Sequence, residues 1–168
     1  MTTEWKIDPG KSVYILVHAD DFAISNSMIR KDHAALRTSI RRRCITLARN
    51  KVPIIFTDLA GDNPPLPGYL AELELPIKQI PNAMTGNLDQ QILELKQHLH
   101  KLSRRNRLIF AGGWRDACLR RTVNQVAFRN PRLIVNETGL STATDATFKL
   151  DGYRDRQIKV AADWENVF

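Results

Sequence analysis

Cys118 is the residue in this sequence best placed for nucleophilic chemistry. It follows the apolar run RLIFA, a Gly112-Gly113 pair and Asp116, a residue type that often caps helices. The spacing puts Cys118 in the first turn of a helix, where unpaired backbone N–H groups and the dipole favour a thiolate and could stabilise an oxyanion. A second interpretation is open, namely a small buried hydrophobic residue that packs a helix start.

Two other side chains could act with such a thiol. Lys78 lies at the end of the run LELPIK, where it could lower the pKa of a nearby thiol and bind an anion, or simply extend into solvent. His18 directly follows the run SVYILV, and histidine with cysteine is a common nucleophilic pair. Sequence alone does not establish whether either residue lies near Cys118.

Other chemistry-bearing residues predict structure rather than a site. Cys44 shares the apolar stripe of a helical pattern, which predicts core packing. His98 and His100 are two residues apart on a predicted helix, so they point in different directions and make a weak metal pair. The sequence contains no P-loop, G-x-G-x-x-G, G-x-S-x-G or H-E-x-x-H motif.

The elements that must position these residues alternate between strand and helix. Short apolar runs predict buried strands, and apolar residues at helical spacing predict amphipathic helices. In chain order we predict a strand at 12–17, a helix at 28–50, a strand at 52–57, a short strand at 73–78, a helix at 88–102, a strand at 107–111, a helix at 116–129 and strands at 132–135 and 158–162. This alternation predicts a parallel sheet covered by helices on both faces.

Ligands of such sheets bind beyond the carboxyl ends of the strands. That rule selects four places in this chain, which are His18 to Asp21, Asp58, Lys78 and Gly112 to Cys118. The first and last of these contain the strongest candidates for a base and a nucleophile. We therefore expect a small-molecule pocket with Cys118 at its edge.

Composition predicts one globular domain that spans residues 1–168. Hydrophobic residues make up 43% of the chain, and no apolar run approaches the roughly 18 residues that a membrane span needs. The N-terminus lacks the basic start and apolar centre of a secretory signal, so we expect a cytoplasmic protein without a membrane partner. The two cysteines make neither a disulfide framework nor a zinc site alone, and both are predicted to be free thiols.

The formal net charge of +7 permits an anionic ligand or nucleic acid. The basic residues are spread out, however, and the densest run, Arg41 to Arg43, lies inside a helical pattern where we predict a solvated face. Nucleic-acid binding is therefore the least favoured of the functions considered. If it occurred, it would depend strongly on salt concentration.

The order of motifs over about residues 13–145 resembles the isochorismatase-like cysteine hydrolases. The stretch LIFAGGWRDACLRRTVNQVAF is similar to that family's fourth strand, turn and nucleophile helix, and Cys118 falls on the catalytic cysteine. IKQIPNAM is similar to the segment that carries the catalytic lysine, which corresponds to Lys78. VPIIFT matches the second strand, and LIVNETGLSTAT resembles the strand and turn after the nucleophile helix.

The resemblance implies a three-layer α/β/α fold with a six-stranded parallel, Rossmann-like sheet. It also implies a Cys–Lys–Asp catalytic set that cleaves a small amide or related molecule, without a cofactor, in proteins that often assemble as homo-oligomers. The oxyanion and pocket positions would be Gly113, Trp114, Ala117 and Asn82. A cis peptide bond of the family would fall near Gly113-Trp114.

The sequence departs from the family at the base. In YILVHADDF, the position of the catalytic aspartate is Val17 if counted back from Phe22, or His18 if the strand is aligned with a one-residue deletion. Neither alignment places an aspartate there, although Asp20 is near. Arg115 stands where a threonine is usual, and the loop after VPIIFT lacks the Asp-x-His arrangement of metal-binding relatives, so no metal is predicted.

Two functions therefore follow from the sequence. The first is a cysteine hydrolase with Cys118 as nucleophile, Lys78 as charge partner and His18 or Asp20 as base. The second is a binding or scaffold protein that has lost catalysis with the aspartate, since a general base contributes about 10²–10⁴-fold in rate.

Overall fold

The computed structural model describes residues 7–26, 33–58, 66–81, 88–102, 104–105, 107–112, 118–126, 132–135 and 158–161, the last two segments and residues 22–23 by their backbone only. These residues form alternating strands and helices. The strands are β1 (Ser12–Val17), β2 (Ile54–Thr57), β3 (Ile77–Ile80), β4 (Arg107–Gly112), β5 (Arg132–Val135) and β6 (Ile158–Ala161). The helices are α1 (Asp21–Ser25), α2 (His33–Arg49), α3 (Gly68–Ala71), α4 (Leu88–Lys101) and α5 (Cys118–Gln125).

The strands form a parallel sheet in the order β3-β2-β1-β4-β5-β6. Chain order runs outward from β1 in one direction as far as β3 and then resumes on the other side of β1 with β4. The seam between β1 and β4 is therefore the topological switch point, where ligands of open α/β sheets bind. Val17 pairs with Gly112 at the carboxyl end of this seam.

The two faces of the sheet carry separate apolar layers. Because side chains alternate along a strand, Tyr14 and Leu16 of β1 pack toward α2 and α3, whereas Ile15 and Val17 pack toward α4 and α5. All six residues of β1 are buried, as expected for the centre of a doubly covered sheet. The predicted α/β architecture with a parallel sheet is confirmed.

Strand β3 begins later than the sequence predicted. The apolar run suggested residues 73–78, but Glu74 adopts a left-handed backbone with φ 50°, and the strand starts only after Pro76, which lacks an N–H for the ladder. Lys78 therefore pairs with Ile55 inside the strand rather than at its end. The short helices α1 and α3 were not predicted, because one turn is too short to show helical periodicity.

The prediction of a solvated face at Arg41 to Arg43 is wrong at Arg43. Its side chain is only 1% exposed and contacts Ser39 Oγ at 3.4 Å. Arg43 lies three residues after Ile40, so it falls on the buried stripe of α2. Arg41 instead reaches the Tyr69 carbonyl and the Glu72 carboxylate, at 2.8 and 3.0 Å.

Cys44 belongs to the core, as predicted. It is fully buried beneath the sheet, and this burial raises the pKa of its thiol to about 12. Neither Cys44 nor Cys118 forms a disulfide, as predicted. Within the described segments, no helix combines the length and the apolar character needed to cross a lipid bilayer.

Candidate functional site

The carboxyl end of the β1–β4 seam is unusually tight. Gly112 has φ 76°, and a Cβ atom at this position would lie 2.6 Å from the Val17 carbonyl oxygen and 3.0 Å from the Ala19 Cβ. Only glycine fits both the backbone conformation and the space. Gly112 therefore allows β4 to end directly against the turn that follows β1.

His18 occupies that turn in a strained backbone conformation. Its φ of 48° is uncommon for a residue other than glycine, and its N–H donates to the Thr57 carbonyl at 2.9 Å. The next carbonyl, that of Ala19, accepts a hydrogen bond from the Tyr69 hydroxyl of α3. Such conformations persist where neighbouring contacts hold them, and they concentrate at functional sites.

The His18 ring is held by Gln91 in the first turns of α4. His18 Nε2 lies 2.7 Å from Gln91 Oε1, and the ring is only 3% exposed. Gln91 Nε2 donates to the Asp58 carbonyl at 2.8 Å and to the Ile80 carbonyl at 3.0 Å. His18 Nδ1 is buried and has no hydrogen-bond partner among the residues that the structure describes.

Burial lowers the pKa of His18 below its ordinary value of 6.5, while the Gln91 hydrogen bond and the Asp20 carboxylate oppose that shift. Desolvation disfavours the imidazolium, so the neutral ring is the prevailing form near pH 7. A neutral, buried imidazole with an available nitrogen can accept a proton. This is the property that a general base needs.

Asp58 is a second buried polar residue at this edge, directly after β2. It is 2% exposed, and its Oδ2 accepts a hydrogen bond from Gln79 Nε2 at 2.8 Å. Burial raises the pKa of Asp58 to about 6; the Gln79 hydrogen bond opposes the shift and the Asp20 charge adds to it. The sequence marked this position as a strand end but assigned it no chemistry, although a carboxylate after a buried strand was the available signal.

Cys118 is the first residue of α5 and is partly exposed, so its predicted place in the first helical turn is confirmed. Leu119 and Val123 anchor α5 in the apolar layer that it shares with β1, β4 and α4. On the outer side, Arg121 and Gln125 contact Asp89 Oδ1 at 2.6 and 3.0 Å. Helices α4 and α5 therefore both begin at the edge of the sheet where His18 lies.

Asp20 lies in the same turn as His18 and is close enough to influence the pKa values of both His18 and Asp58. Its carbonyl accepts the Ile24 N–H at 3.0 Å, so its backbone caps the start of α1. Of the four strand-end places selected from the sequence, His18 to Asp21, Asp58 and the described residue Gly112 thus lie along one edge.

Lys78 is the exception. Its side chain is exposed. The pKa of His98 is lowered mainly by the burial of His98 itself and secondly by the positive charge of Lys78. His98 lies seven residues after Gln91 on α4, which is about 10 Å along the helix axis. The described electrostatic effect of Lys78 therefore falls on a residue away from the edge that carries His18.

The predicted oxyanion and pocket residues lie outside the described segments; they are Asn82, Gly113, Trp114 and Ala117. The same holds for Asp116, the predicted helix cap. Within the described part of the chain, no group of three or more His, Cys, Asp or Glu side chains is arranged to hold a metal ion.

No protein-family model matches this sequence, and no curated protein matches it significantly. Solved structures do match. The Escherichia coli YcaC gene product, described as an octameric hydrolase of unknown specificity, has a TM-score of 0.60 and 16% identity, over 82% of this chain and 67% of its own. The Streptococcus mutans pyrazinamidase/nicotinamidase has a TM-score of 0.55 and 15% identity, over 80% of this chain and 90% of its own.

A structure described as an isochorismatase family protein has a TM-score of 0.62 and 13% identity, over 92% of this chain and all of its own (100%). Identities this low establish a common fold and leave the activity open. The resemblance inferred from the motifs around Cys118 and Lys78 is therefore confirmed for the fold. The chain has the fold of the isochorismatase-like hydrolases.

Proposed function

We propose that this protein is a cysteine hydrolase of small amides or related small molecules, with Cys118 as nucleophile and His18 as general base. One observation carries the proposal. His18 presents a buried ring nitrogen, without a described partner, at the carboxyl end of the seam where β4 leads into the segment before Cys118. Asp20 was the alternative base, and we favour His18 because its ring is buried at the switch point and neutral near pH 7.

In this mechanism the Cys118 proton passes to His18 Nδ1, and the thiolate forms a bond to the carbonyl carbon of the amide. The carbonyl π electrons move to oxygen, where N–H groups at the start of α5 would stabilise the negative charge. When the oxyanion collapses, the C–N bond breaks, and the leaving amine takes the proton from Nδ1. Water then attacks the thioester carbon and gives up one proton to Nδ1. The C–S bond breaks, and the departing thiolate takes that proton, which releases the acid and restores the free thiol and the neutral imidazole.

The similar structures support this choice of chemistry. One is named a pyrazinamidase/nicotinamidase and another an octameric hydrolase, so we extend amide cleavage and homo-oligomeric assembly to this chain as proposals. Gly113, Trp114, Ala117 and Asn82 are proposed to line the pocket. Lys78 remains the predicted charge partner, although its described electrostatic effect, on His98, does not contribute to this proposal.

A second candidate is a binding or scaffold protein with this fold. The observation in its favour is the histidine at the end of β1, where the resemblance calls for an aspartate. The two candidates differ in one property. A hydrolase requires an activated thiol at position 118, and a scaffold does not.

Alkylation of Cys118 by iodoacetamide between pH 5 and pH 9 separates the two. The proposal predicts that below pH 8 Cys118 reacts at least tenfold faster than a small-molecule thiol, and that His18→Asn removes this advantage. Asparagine tolerates the left-handed backbone of position 18 but cannot act as base. Buried Cys44 is the internal control in the folded protein.

A Cys118 that reacts no faster than a small-molecule thiol would overturn the hydrolase proposal. A panel of small primary amides provides the direct test. Turnover that disappears in Cys118→Ala would exclude the scaffold function.

A further inference from the structure

We propose that Gln91 is a positioning residue that fixes the tautomer of His18, so that Nε2 carries the hydrogen and Nδ1 is the basic atom. This inference rests on the proposed function, in which His18 is the base. It concerns a residue that neither the motifs nor the fold assigns to the site.

The orientation of the Gln91 carboxamide follows from its two backbone partners. The carbonyl oxygens of Asp58 and Ile80 can only accept hydrogen bonds, and both lie within 3.0 Å of Gln91 Nε2. The NH₂ group must therefore face them, because the reversed amide would place its own oxygen against two other acceptors. Gln91 Oε1 is left to face His18.

That oxygen decides the tautomer. Oε1 can only accept, and it lies 2.7 Å from His18 Nε2, so the ring nitrogen must donate. A neutral imidazole has one N–H, and placing it on Nε2 leaves the lone pair on Nδ1. The opposite tautomer would bring two buried lone pairs face to face and leave both unsatisfied.

Gln91 also spans a wide part of the site. It is 2% exposed, and its side chain joins the carboxyl ends of β2 and β3 to the turn after β1. A purely structural role would explain the burial and the two bonds to carbonyls. The tautomer is the property that separates positioning from structure, and it can be measured.

Among the described residues, Asp20 in its own turn is the charged group that acts on the ring, and Asp58 follows β2, the strand beside β1. Neither replaces Gln91 as the partner of Nε2. When His18 is protonated, Nε2–H keeps its bond to Oε1 and the added proton sits on Nδ1. The Gln91 contact therefore serves both protonation states without rearrangement.

The test is imidazole ¹⁵N spectroscopy of the full chain labelled at its 4 histidines, with His18→Asn used to assign the His18 signals. At pH 7.5 we expect the His18 pattern to be that of the Nε2–H tautomer, with Nδ1 unprotonated. Gln91→Leu should give a mixture of tautomers. Gln91→Glu keeps an acceptor oxygen toward Nε2–H, while its second oxygen faces the two backbone carbonyls and must carry a proton to donate to them, so it should retain the Nε2–H tautomer and the wild-type rate of Cys118 alkylation.

Gln90→Leu is the matched control, because Gln90 is the exposed neighbour on the same helix, and it should change neither readout. An Nδ1–H tautomer in the wild type, or an unchanged spectrum in Gln91→Leu, would overturn the inference. If Gln91→Leu does not fold, the wild-type spectrum and Gln91→Glu decide the question. If His18→Asn leaves the rate of Cys118 alkylation unchanged, the proposed function is overturned, whereas the tautomer inference is still decided by the spectra.

Discussion

The Tyr69 hydroxyl donates a hydrogen bond to the Ala19 carbonyl, and this contact joins helix α3 to the turn that holds His18. The two residues are 50 positions apart, and both are buried. The turn contains a histidine with positive φ, so an external restraint on the following carbonyl helps to hold it.

Tyr69→Phe should therefore lower the free energy of unfolding by about 1–3 kcal/mol, because the Ala19 carbonyl loses its donor while buried. The measurement is urea denaturation at pH 7. We also expect slower alkylation of Cys118, since the His18 turn is less well held. A variant as stable as the wild type would show that water replaces the hydroxyl.

Gly112→Ala should be much more harmful than an ordinary glycine substitution. The new Cβ would lie 2.6 Å from the Val17 carbonyl at φ 76°, so we expect a loss of at least about 2 kcal/mol in the free energy of unfolding. Gly68→Ala is the matched control, since a Cβ added at position 68 would have no heavy atom within 4 Å and the φ there is not positive. Equal denaturation midpoints for the two variants would contradict the tight-seam interpretation.

Asp58 makes stability depend on pH in a defined direction. Its pKa is about 6 in the folded protein and 3.8 in an unperturbed aspartate, so the folded state binds more protons between these values. The contribution of protonated Asp58 to the free energy of unfolding is therefore present near pH 4 and is lost as the pH rises through about 6. Asp58→Asn should therefore be more stable than the wild type at pH 7.5, by about 1 kcal/mol after allowance for solvent screening, and should show no gain at pH 4.

The readout is the difference in unfolding free energy between Asp58→Asn and wild type, measured at several pH values. Gln79→Leu is the companion variant, because it removes the donor that holds the carboxylate and should enlarge the pH effect. A difference that stays constant from pH 4 to pH 7.5 would exclude a raised pKa at Asp58.

The two cysteines should separate cleanly by reactivity and by stability. Cys44→Ser buries a hydroxyl in an apolar layer and should cost about 1–3 kcal/mol in the free energy of unfolding, without changing the alkylation of Cys118. Cys118→Ser should cost less, because the side chain is only partly buried. Mass spectrometry of the native protein should find one rapidly modified thiol, and rapid modification at Cys44 would contradict its burial.

Sequence patterns were sufficient for the elements whose side chains repeat. The alternation of SVYILV between two apolar layers, the stripe that contains Cys44, and the glycine that follows RLIFA all correspond to observed structure. The start of β3 was missed because Glu74 and Pro76 interrupt a run that is apolar by composition. Regular spacing of apolar residues therefore predicts an element correctly, whereas a single residue with an unusual backbone angle shifts the boundary of the element.

The polar contacts of the site were beyond sequence reasoning for a different reason. Gln91 sits beside Ile92 on a helical stripe and meets His18 across 73 residues of chain. Nothing in local spacing links the two, because their meeting depends on the order of the strands and the placement of α4. Arg43 was predicted to be solvated for the same reason. Its burial depends on neighbouring elements that local spacing does not reveal.

The position of the β1–β4 seam in the chain also constrains the order in which the strands can pair during folding. Ser12 at the start of β1 pairs with Arg107 at the start of β4. Nearly two thirds of the 168 residues must therefore be synthesised before these two strands can pair. Pairing of β1 with β2, and of β2 with β3, closes shorter loops and costs less chain entropy. During synthesis, a nascent chain can therefore pair β1, β2 and β3 before β4 lies beside His18, so the switch point of the sheet is completed late in folding.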